Sequence, residues 1–132
     1  MVQTEIIELP TGKRATMTDA SGTTTYTYDD LDRLTAKATP EGTLNYTYDA
    51  AGNLASMASA DGNVSVAYTW DSLNRLSTVA DSRLGTTTYT YDGANNVATA
   101  TYSNHLQSSY SYDPENRLTY LVTPPARDTS RK

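Results

Sequence analysis

The sequence contains no cysteine, which removes disulfide staples and thiolate metal centres and leaves the redox compartment open. It has no phenylalanine, one tryptophan and one histidine, so neither a phenylalanine core nor a histidine-built cluster has its material. Leu, Ile and Val together stay under a fifth of the 132 residues, a composition at which disorder becomes a fair default. Basic residues are also few: ten Lys and Arg against fifteen Asp and Glu leave a net charge of −5. Arg14, Arg33, Arg75, Arg83 and Arg117 are scattered, whereas nucleic-acid binding rests on a basic patch. No apolar run approaches membrane-spanning length, and residues 1–20 lack the apolar centre of a signal peptide.

Against disorder stand a modest net charge and eleven tyrosines at regular places. Threonine is the commonest residue, and with Tyr and Val it favours strand. The composition reads as an ordered, thinly cored β protein of one domain's length, or a piece of a longer array.

The chain is organised by repetition. YDDLDRL (Tyr28 to Leu34) returns as YDAAGNL (Tyr48 to Leu54), WDSLNRL (Trp70 to Leu76), YDGANNV (Tyr91 to Val97) and YDPENRL (Tyr112 to Leu118). The aromatic anchors are spaced by 20, 22, 21 and 21 residues, a fixed period that marks a repeat array. Residues 1–11 read as an N-terminal lead-in strand of native or added origin, 12–122 as the repeat sheet, and 123–132 as a disordered tail. The repeat cores lie near 26–34, 46–54, 68–76, 89–97 and 110–118. The stretch from Gly12 to Gly22 is similar to Gly52 to Gly62, with Met17 matching Met57. It therefore reads as the second half of a repeat whose first half is missing or degenerate, as though cut from something longer.

The first strand of each repeat alternates with period two. Tyr26, Tyr46, Tyr68, Tyr89 and Tyr110 each stand two residues before an anchor, with Thr or Ser between. Large aromatic alternating with small hydroxyl is the pattern of a half-buried strand. Four residues after each anchor come Asp32, Gly52, Asn74, Asn95 or Asn116, the residue types that tolerate positive φ. A three-residue hairpin loop needs such a residue at its third place, and Pro114 suits the first place. Asp29, Asp49, Asp71, Asp92 and Asp113 precede the loop, where a short carboxylate accepts bonds from amides two residues on.

That loop sets Tyr28 opposite Leu34, Tyr48 opposite Leu54 and Trp70 opposite Leu76. It likewise sets Tyr91 opposite Val97 and Tyr112 opposite Leu118. Each aromatic–aliphatic pair is worth roughly 0.2–1 kcal/mol. Asp71 meets Arg75 and Asp113 meets Arg117 on what is expected to be the outer face, as exposed pairs worth about 0–1 kcal/mol. First strands lie two strand spacings apart, roughly 10 Å, so Leu or Val is expected to fill the gap between their tyrosines. Second strands are expected over 34–39, 54–59, 76–80, 97–103 and 118–122. The fold class is all-β: an antiparallel meander of tandem hairpins, about ten short strands in five repeats.

The recurring Y-x-Y-D-x-x-G/N-R-L resembles the YD repeat of the Rhs family, which includes bacterial Rhs and wall-associated proteins, the B and C components of Tc toxins, and animal teneurins. TYTYDDLDRL, LNYTYDAAGNL and TYTYDGANNV carry the resemblance, which covers about residues 12–122. It implies a strip of sheet that in full-length members spirals into a hollow shell, enclosing a C-terminal toxin in bacterial members. It also implies a secreted or cell-surface location. Trp70 departs from the anchoring tyrosine, and Asn53 and Asn96 stand where the pattern has Arg. The D-P-x-G-type core signature is absent; Asp113-Pro114 leads only into Glu115-Asn116-Arg117.

Sites for chemistry are scarce. His105 sits in a turn, expected to be mobile and solvated, where a catalytic base needs a held nucleophile and an orienting carboxylate. Asp29, Asp30 and Asp32 lack the spacing of a calcium loop. Since only Asp29 recurs in every copy, turn capping explains the pattern. No catalytic residue, metal or cofactor is expected. The tyrosine face of Tyr26, Tyr46, Tyr68, Tyr89 and Tyr110 is the one candidate ligand surface, for a glycan. The competing expectation is that this face is the sheet's own packing surface. The role expected is a non-catalytic structural segment, with a carbohydrate- or cell-surface-binding module as the alternative. Expected partners are neighbouring YD repeats or an enclosed toxin, and self-association through sheet edges or the tyrosine face.

Overall fold

The computed structural model describes residues 3–123; the residues at 1–2 and the tail expected over 123–132 lie outside it except for Thr123. The contacts divide the chain into two compact units, residues 1–67 and 68–132. The first unit holds β1 (Glu5–Glu8), β2 (Arg14–Asp19), β3 (Gly22–Tyr28), β4 (Leu34–Thr39), β5 (Gly42–Tyr48) and β6 (Leu54–Ser59), and the start of β7 (Ser65–Trp70). The second holds the end of β7 and β8 (Leu76–Asp81), β9 (Gly85–Tyr91), β10 (Val97–Thr101), β11 (Gln107–Tyr112) and β12 (Leu118–Val122). Every strand is hydrogen-bonded to its sequence neighbours, in order from β1 to β12. The antiparallel meander is as expected from the period-two pattern, with no helix among the described residues.

The ten strands of the five repeats are joined by a hairpin from the lead-in. In it Leu9 N–H donates to Lys13 O at 2.7 Å and Gly12, at φ +78, takes the left-handed place. Glu8 faces Arg14 as Tyr28 faces Leu34. The first half of this repeat is therefore present, degenerate in sequence and regular in backbone.

The five repeat loops form as their residues dictate. Asp32, Asn74, Asn95 and Asn116 have φ between +56 and +68, and Gly52 has φ +90. Asp29 N–H donates to Arg33 O at 2.9 Å, and the other four copies close the same way. A register shift follows the loop, beside Tyr28, Tyr48, Val97 and Tyr112, as a three-residue loop with a left-handed third residue requires. The register matches: Tyr28–Leu34, Tyr48–Leu54, Tyr91–Val97 and Tyr112–Leu118 are paired.

Two second-strand ends differ. β8 runs one residue further, to Asp81. β10 ends at Thr101, not Ser103, because His105 adopts φ +64 and a further loop of the same kind closes through Tyr102 N–H to Leu106 O at 2.9 Å. His105 is an exposed turn residue, as expected, and takes the left-handed place of the loop, where its type is enriched.

Burial alternates along the first strands and is shallow everywhere. Among the described residues Thr24, Val66, Ala100 and Ser108 are buried. Three of them stand two residues before a strand-centre tyrosine, and Ala100 lies opposite Tyr89 and Ser108. At one of them Tyr102 Oη bonds Ser108 Oγ at 3.1 Å. The other face carries exposed threonines joined across strands, Thr47 to Ser56 at 2.6 Å, Thr69 to Thr78 at 2.7 Å and Thr90 to Thr99 at 2.6 Å. Such pairs support a sheet without a deep core.

Candidate functional site

The most concentrated chemistry in the molecule is the junction between one hairpin and the next. Each begins with the aspartate of the repeat. Asp29 Oδ1 accepts from Leu31 N at 3.0 Å and from Arg33 N at 2.9 Å, while Oδ2 accepts from Arg33 Nε at 2.8 Å and Nη2 at 2.7 Å. Asp71 repeats this set with Leu73 and Arg75; Asp113 repeats the amide and Nε bonds with Glu115 and Arg117, while Arg117 Nη2 donates to Glu115 Oε2. Where the pattern has asparagine, Asn53 Nδ2 and Asn96 Nδ2 each donate to their aspartate at 3.2 Å. One carboxylate thereby ties down the loop amides and the side chain that follows the loop.

That side chain reaches the next hairpin. The Arg33 guanidinium lies 4.5 Å from the centre of the Tyr48 ring, and the Arg75 guanidinium 4.4 Å from Tyr91. Lys13, at the equivalent place in the first hairpin, stands 5.7 Å from the Tyr28 ring. Each of these tyrosines also donates its hydroxyl to the carbonyl one residue beyond the cation: Tyr28 to Arg14 O at 3.0 Å, Tyr48 to Leu34 O at 2.8 Å, and Tyr91 to Leu76 O at 2.7 Å. The carbonyl sits beside the register shift, where regular ladder bonding is interrupted. Turns are joined as well, Arg75 Nη1 to Asn95 Oδ1 at 2.7 Å and Asn96 Nδ2 to Asn116 Oδ1 at 3.0 Å.

One expectation is corrected in part here. Asp71 and Arg75 are not exposed charges on an outer face, at 26% and 27% exposure, and Asp29 and Arg33 resemble them at 23% and 29%; at the last loop Arg117 is 73% exposed, as expected. The reason at the first two is the ring that the guanidinium covers. Leu34 and Leu76, whose side chains are expected beside these anchors, also contribute their carbonyl oxygens to the Tyr48 and Tyr91 hydroxyls. A fifth position rich in Arg or Asn was the available sequence signal, but nothing local indicated a contact one hairpin away.

The electrostatics follow the bonding. The Arg33 and Arg75 side chains hold Asp29 and Asp71 below the usual carboxylate range. The backbone N–H groups of Asn53, Asn96 and Arg117 do the same for Asp49, Asp92 and Asp113. Burial raises the Tyr91 hydroxyl, with the Asp71 carboxylate adding to it, so it remains a donor at neutral pH. Depressed folded-state values mean that each aspartate contributes stability above its unfolded value and loses it as pH falls through the folded one. The thermal midpoint is expected to be flat from pH 7 to about 5 and to fall below about pH 4. In thermal melts followed by circular dichroism, Asp49→Asn should lower the neutral-pH midpoint and flatten the acid limb. An unchanged acid limb in that variant would contradict the assignment.

The strand-centre tyrosines Tyr26, Tyr46, Tyr68, Tyr89 and Tyr110 are all half-buried. Tyr46 faces Met57, which faces Val66, and Tyr26 lies opposite Lys37. Arg14 stands 5.8 Å from the Tyr26 ring. Around Tyr110, burial and the nearby Tyr102, Tyr89 and Tyr112 raise its hydroxyl; Tyr102 was not anticipated from the sequence, since it belongs to no first strand. Trp70, at the third anchor position, is half-buried like the tyrosine anchors. Asp30 is exposed and Asp32 occupies a left-handed loop position. Among the described residues no three His, Cys, Asp or Glu side chains are grouped to hold a metal ion.

No curated protein matches the chain. Among solved structures it is similar to the crystal structure of TcdB2-TccC3-TEV, at 24% identity over 89% of this chain with a TM-score of 0.74. It is also similar to TcdB2-TccC3 without its hypervariable C-terminal region, at 23% identity over 89% with a TM-score of 0.74. The Photorhabdus luminescens Tc holotoxin pore matches at 16% identity over 89% with a TM-score of 0.66. The chain spans 7%, 7% and 9% of those chains respectively, and at such identities the likeness concerns the fold. A family model described as teneurin YD-shell matches residues 10–130. With nearly its whole length matched by that model, the chain belongs to the teneurin YD-shell family.

Proposed function

We propose that this chain is a non-catalytic wall segment of a YD shell, which together with further repeats encloses a toxin or effector in a secreted or surface-exposed bacterial protein of Rhs type. The observation that supports it is the use of the repeat's polar groups. Aspartate, arginine and anchor hydroxyl bind one hairpin to the next, as in Asp29–Arg33–Tyr48 and Asp71–Arg75–Tyr91. Residues spent on joining hairpins serve a wall. The similarity to TcdB2-TccC3 structures supports the same reading at the level of fold. His105, exposed and at the left-handed place of a loop, fits the non-catalytic reading.

The test uses the longer protein in which the segment occurs. Its enclosed region should resist added protease while the wall is folded, and become cleavable when Tyr48 and Tyr91 are both changed to alanine. Equal cleavage in both forms would count against the reading. The carbohydrate alternative predicts something else: saturable glycan binding that is lost in Tyr46→Ala or Tyr68→Ala. On a glycan array and in titration calorimetry, no saturable binding is expected from the unchanged chain.

A further inference from the structure

One charge stands in the tyrosine face where the other repeats place an uncharged residue. The central residue of the second strand is Met17 in β2, Met57 in β6, Val79 in β8, Ala100 in β10 and Leu121 in β12, but Lys37 in β4. Lys37 is half-buried between Tyr26 and Leu44, its direct neighbours on β3 and β5. Side chains opposite each other in this way lie about 5 Å apart, and Tyr46, on the diagonal, is within reach of a long one. Arg33, Arg75 and Arg117 each have an aspartate, whereas Lys37 has no carboxylate partner among the described residues. The Tyr28, Tyr48 and Tyr91 hydroxyls are held by carbonyls; those of Tyr26 and Tyr46 bond no protein group among the described residues. A second cation, Arg14, stands 5.8 Å from the Tyr26 ring. Of the acids on this face, Glu8 faces Arg14, and Asp19 accepts from Ser21 N and Oγ.

A half-buried ammonium in that setting loses hydration without gaining an ion pair. Methionine, as at Met17 and Met57, fills the same place without that cost. What remains is a set of donors, one ammonium and two phenol hydroxyls, around a patch of rings and Leu44. Its complement is a carboxylate, which only accepts and carries the opposite charge. The rings and Leu44 suit apolar groups on either side of that carboxylate. We propose that Lys37, with the Tyr26 and Tyr46 hydroxyls, docks an acidic side chain of the polypeptide that the wall encloses, in a segment where Asp or Glu stands among apolar residues. The identity of the ligand rests on the shell reading; the donor set does not. A lysine that only lays its stem along the rings, with its amine in water, would contribute nothing to ligand binding.

The probe is a blocked peptide of glutamate, alanine and leucine, titrated into the purified 132-residue chain while lysine side-chain signals are followed by NMR. Saturable binding should shift the Lys37 signal, and the same peptide with glutamine for glutamate should bind about fivefold more weakly. Lys37→Met should lose the same factor, while its urea midpoint stays level or rises because methionine fills that place in β2 and β6. Lys37→Arg should keep most of the binding. Equal binding of the two peptides, no saturable binding, or binding indifferent to Lys37→Met would overturn the proposal. Tighter binding of hyaluronate, a uronate polysaccharide, would assign the cation to a glycan and overturn it as well. Protease protection of the enclosed region tests the wall separately. Protection without peptide binding removes this site alone, and peptide binding without protection removes the enclosed chain as its ligand.

Discussion

Replacing Gly85 by alanine is expected to cost about 2–4 kcal/mol, combining a left-handed non-glycine residue with overpacking. Gly85 has φ +83, and a Cβ built there would stand 2.5 Å from Ser103 Cβ and 2.8 Å from its hydroxyl. Ser103 belongs to the next connecting loop and its hydroxyl donates to Leu84 O at 2.9 Å; rotating that side chain moves the hydroxyl but not its Cβ, which is fixed by the backbone. Gly62→Ala is the control: φ is +77 but nothing lies within 4 Å of the new methyl, leaving about 1–2 kcal/mol of backbone cost alone. In urea titrations the Gly85 variant should fall well below the Gly62 variant. Ser103→Gly in the same chain should recover part of the Gly85→Ala loss by removing the clash. Equal losses for the two glycines would show that the close approach carries no weight.

Tyr48→Ala should be nearly as damaging, at about 2–3 kcal/mol, because a half-buried ring and its hydroxyl bond are lost together. Tyr48→Phe should cost about 1 kcal/mol, the share of a hydrogen bond whose carbonyl, Leu34 O, then lacks this donor. Arg33→Ala removes the cation from the ring at 4.5 Å and releases Asp29. Its ring-contact share is about 0.5–1 kcal/mol, which should vanish when Tyr48 is already alanine. The double-mutant cycle between Arg33 and Tyr48 measures that coupling directly. Additive losses would mean that ring and guanidinium lie close without interacting. If Tyr48→Ala itself left the urea midpoint unchanged, the junction would not hold the hairpins together.

Much of this architecture was legible because its determinants are local. The alternation Thr-Tyr-Thr-Tyr before Asp29 assigns strand and face within seven residues, and the residue types at Asp32, Gly52 and Asn74 assign the loop within five. The 102–106 loop is not legible in this way because Tyr102, Asn104 and His105 replace the usual letters while keeping the backbone. Histidine signals positive φ less visibly than glycine or asparagine, so the residue pattern carries β10 two residues past its end. The charges were misplaced for a different reason. Counting across one hairpin puts Asp71 opposite Arg75, but gives no hint that the guanidinium also covers Tyr91.

By itself the sequence determined the strands, the loops, the register and the family, since each depends on residue period and on φ preferences that act within one hairpin. Tertiary structure decided where the charged and hydroxyl groups end. Tyr48 reaches Leu34, Arg75 reaches both Tyr91 and Asn95, and Gly85 abuts Ser103. Those contacts depend on how far apart and how twisted successive hairpins lie, which residue pattern along a single strand does not encode. A sheet with so few buried side chains is held where hairpin meets hairpin.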